Sequence, residues 1–264
     1  MKQAVEAALS ALYKLPVASH LLVALSQKYL NIHRNFNYDQ DSNGERWIVQ
    51  ALARHGLLST CFDVGANGGD WAALVANENP QAVVHCFEVS PPTYRQLAGR
   101  FPDNSRLILN PVGLSDQNGK VEVQHCKDNT GLSSIVEVVS SKNNETIASR
   151  VVRGADYCAE HGIGRIDFLK LDVEGAEDLV LSGFGDLLLP GSIPVVQFEY
   201  GMANIPRKTL LREFHQTFES RGYQVGKLFP RSVRFREYRF EDEDFRGPNF
   251  VAASPEVAKL LGAS

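Results

Sequence analysis

Short apolar runs that alternate with helical segments constrain the fold of this chain more than any other feature. The runs lack the strict apolar–polar alternation of a half-exposed strand, which is typical of strands covered on both faces of a parallel sheet. A helical segment at residues 70–77 lies between the first and second of these runs, and another at residues 92–101 follows the second. Strands that alternate with helices predict a doubly wound α/β fold. The five runs are residues 61–64, 83–87, 106–109, 166–171 and 194–198.

Two later regions depart from this rhythm. An Asn118-Gly119 turn separates residues 112–114 from residues 121–124 and predicts a hairpin. We expect the polar stretch 126–144 that follows to be a mobile excursion beside the sheet. Near the end of the chain, residues 223–229 and 249–253 predict an antiparallel pair, joined by a charged connection.

The first thirty residues have helical periodicity that is broken at Pro16. Their apolar face predicts a cap on the domain or a dimer contact, with peripheral membrane attachment as the alternative. A length of 264 residues allows one large domain with such an appendage. We therefore divide the chain into an N-terminal helical extension with its connector (1–42) and a main domain (43–264).

Composition excludes several classes of protein. The net charge of −4 gives no global attraction to nucleic acid, and we expect no nucleic-acid partner. The four cysteines have no metal-finger spacing, which favours a reduced, intracellular protein. The chain shows no signal peptide and no apolar stretch long enough to span a bilayer, so we expect a cytoplasmic location.

A glycine-rich turn follows the first strand, in the sequence Asp63-Val64-Gly65-Ala66-Asn67-Gly68-Gly69-Asp70. Glycines allow positive φ and close approach of a ligand, and the following helix offers free N–H groups. The dinucleotide fingerprint Gly-x-Gly-x-x-Gly fails at Asn67 and Asp70. Because Asp70 would repel a pyrophosphate, the turn favours a ligand with one carboxylate and an ammonium, such as the amino-acid end of methionine.

Glu88 ends the second strand, 19 residues after Gly69. An acidic side chain at about this distance accepts hydrogen bonds from both ribose hydroxyls of a bound nucleoside. The turn and Glu88 together therefore indicate a nucleoside-containing ligand. The alternative is a purely structural turn in which Glu88 is an ordinary solvated residue.

Charged residues cluster at the ends of the fourth and fifth strands. Lys170 and Asp172 share a strand face, and a lysine within a covered strand requires a carboxylate partner. Glu199, at the end of the next strand, can supply it. Because ligands bind beyond the carboxyl ends of such strands, Asp172, Glu174 and Glu199 should meet the reactive end of the ligand. The alternative is a structural ion pair of Lys170 with Asp172 or Glu199.

These motifs resemble the FkbM-type methyltransferases. The resemblance rests on the glycine turn, on Phe87-Glu88 and on Ile166-Asp167-x-x-Lys170-x-Asp172-Val173-Glu174-Gly175-Ala176-Glu177, and it spans roughly residues 43–253. It implies a Rossmann-like, mostly parallel seven-stranded sheet and an S-adenosylmethionine-dependent O-methyltransferase that acts on hydroxyls of sugars or other metabolites. The expected cofactor-binding residues are Asp63, Gly65, Ala66, Asn67, Gly69, Glu88 and Ser115.

Methyl transfer of this kind is an in-line SN2 reaction, in which a carboxylate removes the proton of the acceptor hydroxyl. Asp172 is the first choice for this base, followed by Glu174 or Glu199, with Lys170 as an orienting partner. We expect no metal, because the ammonium of Lys170 would repel a divalent ion. The alternatives are a nicotinamide-dependent oxidoreductase, which the failed glycine positions disfavour, and a non-catalytic nucleoside-binding module.

Arginines near the end of the chain complete the predicted site. Arg231, Arg234 and Arg236 lie on a connection at the expected edge of the sheet, where lids are common. We expect them to bind an anionic part of a small-molecule or saccharide acceptor. The alternative is a solvated hairpin whose arginines pair with the acidic run 241–244.

Overall fold

The computed structural model describes residues 2–102, 105–127, 131, 133–135 and 144–262. The strands are β1 (Thr60–Val64), β2 (Val83–Phe87), β3 (Leu107–Asn110), β4 (Gly113–Ser115), β5 (Gly119–Cys126), β6 (Asn144–Arg153), β7 (Phe168–Leu171), β8 (Val195–Glu199), β9 (Gln224–Phe229), β10 (Ser232–Phe235) and β11 (Asn249–Ala253). The helices are α1 (Lys2–Tyr13), α2 (Pro16–His33), α3 (Glu45–Arg54), α4 (Asp70–Glu78), α5 (Pro91–Arg100), α6 (Gly154–His161), α7 (Glu177–Phe184), α8 (Leu211–Glu219) and α9 (Pro255–Leu261).

The main sheet has the order β10-β9-β11-β8-β7-β1-β2-β3. Strands β3, β2, β1, β7 and β8 are mutually parallel, as the five apolar runs predict, and β11 is antiparallel to both β8 and β9. The strand β10 extends the seven expected strands by one, because it folds back on β9 as a hairpin. All five parallel strands therefore present their carboxyl ends at one edge of the sheet.

Each face of the main sheet has its own apolar core. One core joins alternate sheet residues such as Cys61 and Phe168 to α3 and α4, through Ile48 and Trp71 among others. The other joins the intervening residues to α6, α7 and α8. This burial on both faces explains why the runs show no polar alternation.

A separate three-stranded sheet has the order β4-β6-β5. The predicted hairpin of residues 112–114 with 121–124 is therefore wrong. The strand β6 lies between the two, parallel to β4 and antiparallel to β5. Because β6 has ten residues and β4 has three, β6 can pair with β5 over a much greater length than β4 could. The expected mobile excursion at 126–144 falls mostly outside the described residues.

The N-terminal helices α1 and α2 contact each other and contain no buried residue in their described part. They do not cap the core of the domain. Their apolar side chains are strongly exposed, with Val17 at 84% and Leu21 at 60%. The end of α2 is attached to the domain through the Arg34–Asp244 ion pair. No helix within the described ranges combines the length and apolar character needed to cross a membrane.

Candidate active site

The glycine turn sits where β1 meets α4. The backbone N–H groups of Gly65 and Ala66 both donate to the carbonyl of Phe87, at 3.0 Å. Gly65 has a φ of 85°, and a Cβ atom there would lie 1.8 Å from the backbone oxygen of Asp172. Asn67 adopts a positive φ of 46°, as the sequence allowed. The turn thus brings the ends of β1 and β7 into direct contact.

Glu88 is held rigidly at the end of β2. Its carboxylate accepts the backbone N–H of Asn67 at 2.9 Å and that of Ser90 at 2.8 Å. Burial raises the pKa of Glu88 to about 7, although these two hydrogen bonds act in the opposite direction. The side chain is 6% exposed, so the solvated alternative is wrong for this residue.

Gly65, Asn67, Glu88 and Asp172 line a common cleft of about 590 Å³, including its open mouth. Its opposite wall comes from Gly113 and Leu114 of β4 and from Ser133 and Ser134, which sequence reasoning did not identify. The Ser134 hydroxyl donates to the backbone oxygens of Val173 and Glu174. The small sheet therefore encloses the cleft from one side. We call this space the glycine cleft.

The remaining predicted cofactor residues support the glycine cleft without lining it. Ala66 packs in the core, and Gly69 precedes α4 with a φ of 81°. Ser115 does not line the cleft either: its hydroxyl donates to Asp116, and its backbone oxygen lies against Gly183 of α7. Its role in cofactor binding stays a prediction.

Lys170 lies in a polar row that crosses three strands. The register places Asp63 of β1 and Gln197 of β8 on either side of it. Its ammonium is 2.8 Å from Asp172 and 3.8 Å from Asp63. Glu199 is therefore not the partner of the lysine, because the residue in register on β8 is Gln197. Burial opposes the charged lysine, but the carboxylates of Asp172, Asp63 and Glu45 together raise the pKa of Lys170 well above its ordinary value.

Asp63 carries a carboxylate with unused hydrogen-bonding capacity. The residue is fully buried, and neither of its oxygens has a hydrogen-bond partner within the described residues. Burial raises the pKa of Asp63 to about 6, against the opposing charge of Lys170. The cation beside this carboxylate is the ammonium of Lys170, and Asp63 is not among the residues that line the glycine cleft.

Asp172, Glu174 and Glu199 converge beyond the ends of β7 and β8, as the sequence predicts. One carboxylate oxygen from each lies within 4.8 Å of the others, a spacing that could also hold a metal ion. Burial, with the charges of Asp172 and Glu177, raises the pKa of Glu174 to about 8. Burial and the charges of Asp172 and Glu174 raise the pKa of Glu199 well above its ordinary value. We call these three residues the acidic cluster.

Glu177, at the start of α7, supports the acidic cluster from a fully buried position. Its buried carboxylate accepts the backbone N–H groups of Val173 and Gly175 and the side-chain amide of Asn204. These bonds hold a turn in which Glu174 has a φ of 54°. A positive φ at a glutamate is strained, and its presence here is typical of a functional site. The repeated acidic pattern 174–177 was the only sequence signal for this role.

The connector before α3 also contributes to the site, although it was placed mainly in the N-terminal extension. Asn35 donates to the backbone oxygens of Asn43 and Leu228, which fixes the connector over the end of β9. Partial burial and the charges of Glu199 and Glu174 raise the pKa of Tyr38 to about 12. Tyr38, which is 63% exposed, is therefore within electrostatic range of the acidic cluster, a position that no local pattern in the sequence indicates.

The three predicted arginines lie on and after the β9–β10 hairpin. Arg231 is exposed at its turn, whereas Arg234 and Arg236 line a second cleft of about 1,230 Å³, including its open mouth. Arg234 stacks on Phe229 at 3.8 Å, and Arg236 forms an ion pair with Asp242. The pairing with the acidic run thus holds for Arg236. None of the three lines the glycine cleft.

Three features are typical of a Rossmann-like methyltransferase of class I. They are the strand order with its antiparallel β11, the glycine turn, and the acidic residue that follows β2. The model of the FkbM methyltransferase domain matches residues 63–225. The chain therefore belongs to the FkbM methyltransferase family, as the sequence motifs indicated, and it is an S-adenosylmethionine-dependent methyltransferase.

Similar proteins include two curated relatives and one crystal structure. The 2-O-methyltransferase NoeI of Sinorhizobium fredii (strain NBRC 101917 / NGR234) is 28% identical over 178 residues, covering 62% of this chain and 72% of the relative. The 31-O-demethyl-FK506 methyltransferase FkbM of Streptomyces tacrolimicus is 28% identical over 186 residues, covering 58% and 72%. The crystal structure of methyltransferase FkbM from Methylobacillus flagellatus KT has a TM-score of 0.48 at 16% identity, covering 74% of this chain and 44% of that one.

Proposed function

We propose that this chain transfers a methyl group from S-adenosylmethionine to a hydroxyl of a small polar acceptor such as a sugar or glycan. The observation that carries the proposal is that Asp172 belongs both to the glycine cleft and to the acidic cluster. A cofactor in the cleft would therefore have carboxylates beside its reactive end. The two relatives are both named for methylation at oxygen, which supports a hydroxyl acceptor.

The residues of the glycine cleft fit the proposed cofactor, which supplies an activated methyl group on a sulfonium when bound. Glu88 retains lone pairs for two ribose hydroxyls while its backbone bonds fix its position. Asp63 is fully buried and does not line the cleft, so its role is to support the turn from below, whereas the N–H groups at the start of α4 suit a carboxylate. Gly65 and Asn67 allow close approach of the backbone.

Glu199 and Glu174 are better candidates for the general base than Asp172, which was the first choice. The carboxylate of Asp172 is already engaged, because it accepts the ammonium of Lys170 at 2.8 Å. Glu174 and Glu199 accept no bond from the lysine, and burial raises their pKa values. A positive charge bound beside them would favour their ionised forms, so that a base is generated when the cleft is filled.

We propose that proton removal proceeds without a metal. Lys170 already neutralises part of the charge next to the acidic cluster, and a fixed ammonium disfavours a divalent ion nearby. Magnesium and calcium both prefer oxygen ligands, and the three carboxylates could supply them, so the metal-free proposal must be tested directly. Exhaustively chelated protein should keep its activity, and activity that returned only with added magnesium would recast the acidic cluster as a metal site.

Two measurements test the proposed function. Calorimetry should show binding of S-adenosylhomocysteine and no comparable binding of NAD, since a nicotinamide enzyme would show the reverse. Transfer of a labelled methyl group to a panel of sugars and glycans should then depend on Glu199, with Glu213→Gln on the exposed part of α8 as a matched control. Binding without transfer to any hydroxyl would favour the nucleoside-binding module instead.

A further inference from the structure

The second cleft lies at the edge of the main sheet, on the side covered by α8, and we call it the basic cleft. It is lined by parts of the chain that are far apart in sequence: the end of α2, the strands β9 and β10, and the connection before β11. Five cationic side chains meet there, against three carboxylates. The cations are Arg34, Lys227, Arg234, Arg236 and Arg239.

Two of the three carboxylates are already engaged. Asp244 forms an ion pair with Arg34 at 2.9 Å, and Asp242 pairs with Arg236. Both also accept backbone N–H groups of the connection, so they fix its conformation. Of the described carboxylates that line the cleft, Glu241 alone remains to balance the other cations. Lys227, Arg234 and Arg239 form no ion pair among the residues that the structure describes.

Lys227 is the most constrained of these cations. Its ammonium donates to the backbone oxygen of Arg246 at 2.9 Å and lies 5.4 Å from the centre of the Phe250 ring. An ammonium has three N–H donors, and this one retains capacity for a further acceptor. Burial lowers the pKa of Lys227 to about 8 against the opposing charge of Asp244, while Arg34, Asp242 and Arg236 also act on it. A bound anion would reverse this shift.

We propose that the basic cleft binds a diphosphate group. Three cations without a carboxylate partner match the charge of a diphosphate better than the single charge of a carboxylate ligand. Arg234 and Arg239 are exposed and can adjust to the phosphate oxygens, while Lys227 fixes one point of contact. The basic cleft is enclosed by the connection before β11 and lies beside an acidic run, so it is not the long basic stripe that nucleic acid requires.

Two sources of the diphosphate are possible. It can be a free inorganic ion, or it can be the linker between a sugar and a carrier such as a nucleoside. The second source rests on the proposed function, because the sugar would then carry the acceptor hydroxyl. Arg231, for which the sequence predicted the same role, lies outside the basic cleft and provides a matched control.

Calorimetry on the whole protein tests the proposal with inorganic pyrophosphate, glucose and uridine diphosphate glucose as probes. We expect pyrophosphate to bind, and Arg239→Gln and Lys227→Gln each to weaken it by roughly ten- to a hundred-fold. Arg231→Gln should leave it unchanged. All variants should bind S-adenosylhomocysteine as the parent does, so that loss of the proposed function and loss of the basic cleft are separate results. Tighter binding of the nucleoside diphosphate sugar than of pyrophosphate would assign the diphosphate to the acceptor, and equal binding would assign a free ion.

A second readout does not depend on how the variants fold. Pyrophosphate should protect Lys227 of the parent protein from acetylation, measured by mass spectrometry, while the exposed Lys259 is modified at its usual rate. The absence of pyrophosphate binding, or an equal loss of affinity in Arg231→Gln, would overturn the proposal. So would binding that leaves Lys227 unprotected.

Discussion

Replacing Glu174 by Gln should stabilise the folded protein at alkaline pH. Burial, together with the charges of Asp172 and Glu177, raises the pKa of Glu174 to about 8. It forms no hydrogen bond through its side chain in the described part of the chain, so glutamine removes the charge without breaking a contact. The backbone strain at this position, where φ is 54°, should be the same with glutamate and with glutamine.

The size of the effect follows from proton linkage. An acid with a raised pKa in the folded state binds more protons folded than unfolded, so stability falls as pH rises through the interval between the two values. For Glu174 this interval runs from 4.5 to about 8, which corresponds to a ceiling of about 5 kcal/mol. Water in the cleft screens the repulsion, and we therefore expect Glu174→Gln to add about 1–3 kcal/mol near pH 8. Near pH 4.5 the gain should vanish.

Glu177→Gln is the matched control, because the same substitution three residues away also removes a charge but disturbs hydrogen bonds that the side chain of Glu174 does not form. Burial raises the pKa of Glu177 to about 7, but its carboxylate accepts the backbone N–H groups of Val173 and Gly175. The amide of glutamine would turn an N–H group toward one of these donors. We expect Glu177→Gln to be less stable than Glu174→Gln at about pH 8, since the loss of a hydrogen bond to a charged group and an unpaired buried donor cost about 1.5–3 kcal/mol and offset the gain from removing the charge.

Urea denaturation of both variants and the parent, at about pH 5 and about pH 8, measures these free energies of unfolding. For Glu174→Gln we expect a pH-dependent gain in stability together with reduced turnover. A Glu174→Gln variant that is no more stable than the parent at pH 8 would refute this expectation, because the acidic cluster would then carry no electrostatic strain. Loss of stability in both variants would show that Glu174 has a structural role.

Several other substitutions follow from the same geometry. Glu88→Ala should weaken S-adenosylhomocysteine about ten- to a hundred-fold by calorimetry, and unchanged affinity would exclude Glu88 from the cofactor site. Glu199→Gln should lower turnover about 10²–10⁴-fold while cofactor affinity is kept, and a larger loss in Asp172→Asn would restore Asp172 as the base. Lys170→Ala should cost about 3–5 kcal/mol of unfolding free energy, because it leaves Asp63 buried without a counter-charge, and a neutral result in urea would contradict this pairing. Leu21→Gln combined with Leu25→Gln should convert a dimer to a monomer in sedimentation experiments if the exposed N-terminal helices associate, whereas a monomeric parent would exclude that contact.

The parallel strands and the position of the acidic cluster were predictable because both depend on local rules. An apolar run between helical segments identifies a covered strand, and the carboxyl ends of adjacent parallel strands meet at one edge. The order of the small sheet was not predictable in this way. A turn signal at Asn118-Gly119 predicts that two strands are close, but it does not show that β6, which follows later in the chain, pairs with both.

The partner of Lys170 shows where the limit lies. Its spacing from Asp172 follows from the alternation of a single strand, so that half of the ion pair could be read from the sequence. The choice against Glu199 depends on the register between β7 and β8, which places Gln197 opposite the lysine. Register is set by packing across the whole sheet, and a shift of two residues would have brought Glu199 there instead.

The charge state of the acidic cluster is a property of the fold rather than of its strands. Each acidic residue taken alone predicts an ordinary carboxylate, yet Glu174 and Glu199 acquire raised pKa values because separate strands and a turn bring them together. Lys170 is already shared between Asp63 and Asp172. Among the residues that the structure describes, the site therefore has more negative charge than its cations neutralise. A sulfonium placed in the adjoining glycine cleft would relieve the repulsion among these carboxylates, so cofactor affinity and the basicity of the carboxylates would be linked through one electrostatic interaction.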